Sequence, residues 1–550
     1  MGGRDNIDTL DIAVNEFLDE EEKSSYGGPW TAGSPESAGT AGTPAGVPGT
    51  GAGSPPSVTS SKQGLQDLDD DPDVVALTTE LERMGMNPGR FSLGVMRRLV
   101  PAEEPRLDIL ALYFDLMLYV IVHPGTFYRT LHCQSPLLIN AMYCATLGIA
   151  RGSPGSPEVA ASGDAVTVAR SHEGERFFGK ARRLLSLALE EPCYGTVIAL
   201  SLMSIYATGS GRVNTGWMYS GMALRMVIGM RWNEPQTPDA IAKLSPLEYE
   251  TRKRVWWYCF LFDAAMSVIA GRTSFVNPDE PMIDYPDDEL WNSMDDNGTP
   301  VLWQLGQKSP VGNALQATHM SMCNREIAKV YHVFARVAKY VRSEKSRRTA
   351  LGKVDDRLSE LGMQLKTLWT EIPERTRREF VPRKSADRRL VHDDVKEFSG
   401  NSEFHWMFHC SSIMLHRPER LMQDFVWPTR ASFDVCTYSA ERITTILTRW
   451  LEVEPNLQHM MAAMTYPIFE AGMVHLVNAL VSSLIPATSS NEVSTESPSQ
   501  ELMSRSRHYL SITIEALNIL RRYFSSAEAY YNVLKTSATQ NGLVAEFMTS

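Results

Sequence analysis

From Asp73 onward, the apolar residues of this 550-residue chain recur at helical spacing almost throughout, with no run of alternating strands. That property leaves few folds open. Without a sheet, a helix buries its apolar stripe only against other helices. The reading is therefore an all-α protein, one large multi-helix domain with a disordered acidic N-terminal tail. The pattern predicts helices over 106–122, 136–150, 174–190, 194–208, 216–231, 246–270, 313–343, 352–371, 402–424, 432–452, 458–485 and 500–535. Pro124–Gly125, the Gly209–Ser210–Gly211 turn and Gly271 supply stops. The stretch 277–312, rich in Pro and Asp, reads as irregular. The expected organisation is a tail over 1–73, a helical domain over 74–486, a linker over 487–499, and a C-terminal helix within 500–550 packing on the body.

The net charge of −12 is concentrated in the tail. Residues 1–73 hold fourteen acidic and three basic side chains, leaving −1 for residues 74–550. Between Ser24 and Gly64 the chain is mostly Gly, Pro, Ser, Thr and Ala, which cannot bury enough apolar surface to offset chain entropy. The first 22 residues differ. Ile7, Leu10, Val14, Phe17 and Leu18 recur at helical spacing among Asp8, Asp11, Glu16, Asp19 and Glu20 to Glu22. An acidic amphipathic segment of this kind fits partner recruitment, as an activation helix; a short fraying helix without a partner is the alternative. The first residues lack the basic and apolar regions of a signal peptide. The uncharged stretches Pro192–Gly211 and Ala471–Asn491 read as buried helices, so no membrane contact is expected.

Few residues suggest chemistry. His405 and His409 stand one helical turn apart, a spacing that can share a metal, but HWMFH lacks the glutamate of a zinc protease. Half-buried helix histidines are the other reading. Asp69, Asp70 and Asp73 form a DDxxD string like that of Mg²⁺-dependent isoprenoid enzymes, interrupted by Pro72 and without a second motif downstream. Basic residues cluster at 336–353 and at 375–389, either as a nuclear-import patch or as solvated loops.

The string GWMYSGMALRMVIGMRW resembles the W-x-Y-x-G-x-A-x-R-M segment of the fungal-specific transcription factor domain, the middle homology region of fungal binuclear zinc-cluster regulators. The matching positions include Trp217, Tyr219, Gly221, Ala223, Arg225 and Met226. EYETRKRVWWYCFLFDAAMSVIAGRTSFVNPDEPMIDYPDD is similar to the family's second signature through Glu250, Arg252, Lys253, Arg254, Trp256, Trp257, Asp263, Gly271, Arg272, Pro286, Asp287 and Asp288. YFDLMLYVIVHPGTF resembles its opening helix and turn, and MFHCSSIMLHRPER its later element, with His409, His416, Arg417 and Pro418. The four pieces lie in the family's order across about residues 100–480.

The resemblance implies a nuclear regulator of RNA polymerase II transcription and no enzyme. For Arg252, Arg254, Asp263 and Arg272 two roles stay open: packing with internal ion pairs, or an effector pocket. The family reads DNA through a six-cysteine, two-zinc module, and the first cysteine here is Cys133. No zinc cofactor is therefore expected in this chain, whether the cluster was lost or truncated, and contact with DNA would be indirect. The expected partners are a co-activator or a DNA-binding protein, in a homo- or heterodimer. A small-molecule sensor or titrating partner of a zinc-cluster factor is the alternative function, and an isoprenoid enzyme a third.

Overall fold

The computed structural model describes residues 105–117, 121–131, 134–149, 163–189, 192–269, 271–294, 324–343, 356–379, 392–417, 430–457, 460–481 and 498–543. Among them every regular element is a helix: α1 Leu107–Leu116, α2 Pro124–Arg129, α3 Pro136–Ile149, α4 Gly163–Ala188, α5 Tyr194–Gly209, α6 Val213–Gly229, α7 Pro238–Ile241, α8 Pro246–Ile269, α9 Asp288–Asn292, α10 Asn324–Ser343, α11 Asp356–Glu371, α12 Glu374–Arg377, α13 His392–His416, α14 Arg430–Val453, α15 Thr465–Val481, α16 Pro498–Leu520 and α17 Ser525–Gln540, with a 3₁₀ turn at Ala462–Met464. The tail with Ile7, Leu10, Val14, Phe17 and Leu18, the Asp69–Asp73 string and Pro418 lie outside the described residues.

Helices α1, α3, α4, α5 and α6 pack as one group, α13 to α17 as another, and α8 and α10 lie between them, with α8 against α6 and α10 against α13. A helix in that middle position keeps little surface for water along its central turns. Accordingly α8 buries Val255, Trp256, Trp257, Tyr258, Cys259, Phe260 and Leu261 in succession, all the way round its axis. Helices α5 and α6 approach closely because position 216 is glycine: a Cβ there would lie 2.1 Å from the Thr208 hydroxyl and 2.9 Å from the Ser204 carbonyl. The Ser204 hydroxyl donates to the Gly216 carbonyl at 2.6 Å across the same contact.

Several boundaries differ from the periodicity. The first helix ends at Leu116, and α2 starts at Pro124, where the His123 imidazole accepts the Thr126 N–H. Proline at the first helical position lacks only an N–H that would have been orphaned. Helix α4 begins at Gly163 and α13 at His392, both earlier than predicted. The single helix expected over 500–535 is two, and α16 starts inside the expected linker, at Pro498. Phe524 leaves helical geometry at φ −132°, ψ 124°, and the chain reverses so that both helices lie on α15. No glycine or proline marks that reversal, so local sequence could not show it.

No described helix is long and apolar enough to cross a membrane. His405 and His409 stack at 6.3 Å inside the core, with His405 Nε2 3.0 Å from the Thr376 carbonyl. Among the described residues no cluster of three His, Cys, Asp or Glu side chains could hold a metal.

Candidate functional site

Both ends of α8 carry buried charge, and each end fixes part of the segment that follows the helix. At the N-terminal end, the fully buried Glu250 carboxylate lies 2.5 Å from Lys253 Nζ and 3.2 Å from Arg254 Nε. It also accepts the Asp287 N–H at 2.7 Å. Arg254 reaches on to Asp288 at 2.7 Å and lies over the Trp291 ring at 4.3 Å. The Asp287 side chain in turn caps α9 by accepting the Leu290 N–H at 3.0 Å. An acid and bases three and four residues apart share one helix face, which explains why the signature spaces them so.

At the C-terminal end, Gly271 adopts φ +61°, with the Arg272 N–H bonded to the Ser267 carbonyl at 2.8 Å and the Gly271 N–H to Val268 at 3.3 Å. These two bonds form a Schellman stop, which glycine accommodates without strain. The chain then doubles back, and buried Asp263 holds it. One carboxylate oxygen accepts the Ser274 hydroxyl at 2.6 Å, the Phe275 N–H at 2.9 Å and the Val276 N–H at 3.3 Å. Burial raises the Asp263 pKa, and these donors oppose the rise.

Fixing residues 274–276 places Phe275 in a ladder on the α6 surface. The Arg272 guanidinium lies 4.7 Å over Trp217 and donates to Asn214. Trp217 stacks on Phe275 at 5.5 Å, and Arg225 lies 5.7 Å from the other ring. Gly221 sits beneath Phe275, where a Cβ would meet the ring edge at 3.4 Å. The signature positions Trp217, Gly221, Arg225, Gly271 and Arg272 thus converge on a residue the signature did not single out. Phe275 carries no spacing signal, because it lies on a loop.

Between the two anchors, residues 277–287 run along α10. The Pro278 carbonyl can only accept, so His332 Nε2, 2.7 Å away, carries the proton. His332 Nδ1 then accepts from the Tyr285 hydroxyl at 2.7 Å. Burial lowers the His332 pKa to about 4, so the ring is neutral at physiological pH. Trp257 stacks on Tyr285 at 4.6 Å and donates to the Asp284 carbonyl at 2.9 Å. Asp279 takes Lys339 at 2.9 Å and Arg357 at 3.0 Å, fastening the segment to α10 and α11. An open cleft of about 580 Å³ lies beside this segment, walled by Met282, Tyr285, Arg325, His332 and Arg336. Pro278, Asp279 and His332 belong to no motif; only the fold brings them together.

The remaining candidates are scattered. Arg252 makes a surface pair with Glu248 at 2.7 Å and lies over Trp232, so it is no internal ion pair. Trp256 is core, packed on Phe260 at 6.1 Å. His416 closes α13, and Arg417 crosses to the buried Glu470 of α15 at 3.3 Å, far from the cleft in the chain's packing order. In the second basic cluster, Arg378 pairs with Glu374, and Arg377 donates to the carbonyls of Thr370 and Ile372.

Fold and site together define an all-α scaffold, in which buried charges lock one segment against a central helix and leave a cleft open beside it. Residues 107–366 match the model of the fungal specific transcription factor domain. It is 28% identical over 366 residues to the nitrogen assimilation transcription factor nit-4 of Neurospora crassa, covering 64% of this chain and 29% of that protein. The nitrogen assimilation transcription factor nirA of Emericella nidulans is 36% identical over 135 residues, 23% of this chain and 15% of its own length. The Zn(2)-C6 fungal-type transcription factor FTF1c of Fusarium oxysporum is 24% identical over 196 residues, 34% of this chain and 20% of its own. The chain thus spans less than a third of the length of these relatives. No solved structure matches it.

Proposed function

We propose that the chain is a regulator of RNA polymerase II transcription that works in the nucleus. Its helical domain receives a partner protein or effector, and DNA is read by a module outside these 550 residues. The match of residues 107–366 to the fungal specific transcription factor domain carries this reading. The acidic segment with Ile7, Leu10, Val14, Phe17 and Leu18 recruits a co-activator. Tethering the full chain to a foreign DNA-binding domain at a reporter tests the proposal. Reporter output should change relative to that DNA-binding domain alone, and removing residues 1–23 should diminish the change. Unaltered output in both directions refutes it.

The cleft favours a second reading, a small-molecule sensor. Its wall carries the side chains of Arg325 and Arg336, donors suited to hydrogen-bonding a polar ligand. Mass spectrometry of the chain purified from its native source should detect a bound small molecule that Arg336→Ala releases. A ligand retained equally by both proteins places the site elsewhere.

A further inference from the structure

The outer face of α6 is apolar where a surface helix is ordinarily polar. Met218 is 55% exposed, Ile228 43% and, lying on the same stripe over Gly221, Phe275 43%. Residues 218, 221, 225 and 228 follow one another at three- and four-residue steps, so they form one ridge. It runs about 15 Å at the helical rise of 1.5 Å per residue. Arg272 marks the end beside Trp217, and Arg225 stands between Phe275 and Ile228. Both guanidiniums lie against aromatic rings, which orients them on the ridge.

We propose that this ridge is the docking surface for residues 7–22 of the same chain. Three observations meet here. The segment has seven acidic side chains and no basic one, against two surface arginines on the ridge. Ile7, Leu10, Val14, Phe17 and Leu18 form an apolar stripe of about 17 Å at helical rise, the length of the ridge. Residues 23–104 connect the segment to α1. The part of that connection in the expected tail, residues 23–73, would by itself span on the order of 40 Å as a coil, against a radius of gyration of about 22 Å for a body of this size, so the ridge is within reach. The docked state covers the same residues that the proposed function assigns to co-activator recruitment, and so holds the segment back until the ridge is vacated. The docking itself stands whether or not the segment activates transcription.

Hydrogen exchange on the full chain tests the contact. Leu10→Ser, Phe17→Ser and Leu18→Ser together should speed exchange at residues 271–276 about tenfold. Met218→Glu, at an exposed position, should speed exchange across residues 7–22 to a similar degree while leaving thermal unfolding unchanged. Ile228→Glu replaces it should Met218→Glu alter the unfolding. Unchanged exchange at 271–276 in the tail variant overturns the proposal. So does protection of residues 7–22 that survives both ridge substitutions, because the segment then docks elsewhere. Protection that grows with protein concentration also overturns it, since a second copy then covers the ridge. None of these readings depends on a reporter, so they separate failure of the docking from failure of the transcriptional assignment.

Discussion

Replacing Glu250 by Gln removes the one negative charge that two buried cations share on α8. The amide keeps the shape and can still accept the Asp287 N–H, which the carboxylate does at 2.7 Å. The loss therefore isolates charge. Arg254 retains Asp288 at 2.7 Å and the Trp291 face. Lys253 fares worse: its ammonium, 7% exposed, loses its 2.5 Å carboxylate and keeps only the Tyr249 ring at 5.1 Å. Breaking a buried pair on one side costs about 3–5 kcal/mol, because the remaining charge stays out of water. With one of the two cations still paired, the expected cost is near the low end, about 3 kcal/mol. Urea unfolding of the full chain, followed by far-ultraviolet circular dichroism, measures it. Adding Lys253→Met to Glu250→Gln should recover at least about 1 kcal/mol, since it removes the stranded charge. A Glu250→Gln protein within about 0.5 kcal/mol of the native one, with no recovery in the double variant, would refute the claim that these charges are desolvated and mutually dependent.

Asp263→Ala should cost about 2 kcal/mol by orphaning the Ser274, Phe275 and Val276 donors, and should free Phe275 from Trp217, seen as a change in tryptophan fluorescence. Gly216→Ala should destabilise by about 3 kcal/mol, since its Cβ meets Thr208 and Ser204. Gly362→Ala, mid-helix with nothing within 4 Å of the new Cβ, should stabilise by about 1 kcal/mol; denaturation midpoints distinguish the two. Burial lowers the pKa of His405 to about 4 and of His409 and His475 to about 3. Their folded values lie below the unfolded one near 6.5, so the stability they confer is complete above it and is lost as the pH falls toward the folded values. At pH 5 each should have forfeited about 2 kcal/mol, and a melting temperature flat from pH 7.5 to pH 5 would contradict the burial.

How much was legible depended on whether the signal was local. The helical class followed from spacing alone, and most long helices began and ended near a proline, a glycine or a change of pattern. The α16–α17 reversal at Phe524 did not, because nothing local requires it: both helices reach α15 only if the chain turns there. Motif positions told which residues belong together in chain order, and Glu250 with Lys253 and Arg254 could be paired from their i, i+3 and i, i+4 spacing. Arg252 shared the same run of charges but faces the surface, one helical step away from the buried side.

Residue order and periodicity by themselves determined an all-α body and the acidic character of the tail, and the motif strings carried the resemblance to the fungal specific transcription factor domain. Periodicity states which face of a helix is apolar, but not what that face meets. Tertiary structure alone decided that Asp263 holds a loop twelve residues away, that Trp217, Gly221, Arg225 and Arg272 converge on Phe275, and that His332 stands under Pro278 and beside Tyr285. The physical reason is common to all three. Each depends on how a loop returns across two packed helices, and that path is set by the burial of the central turns of α8.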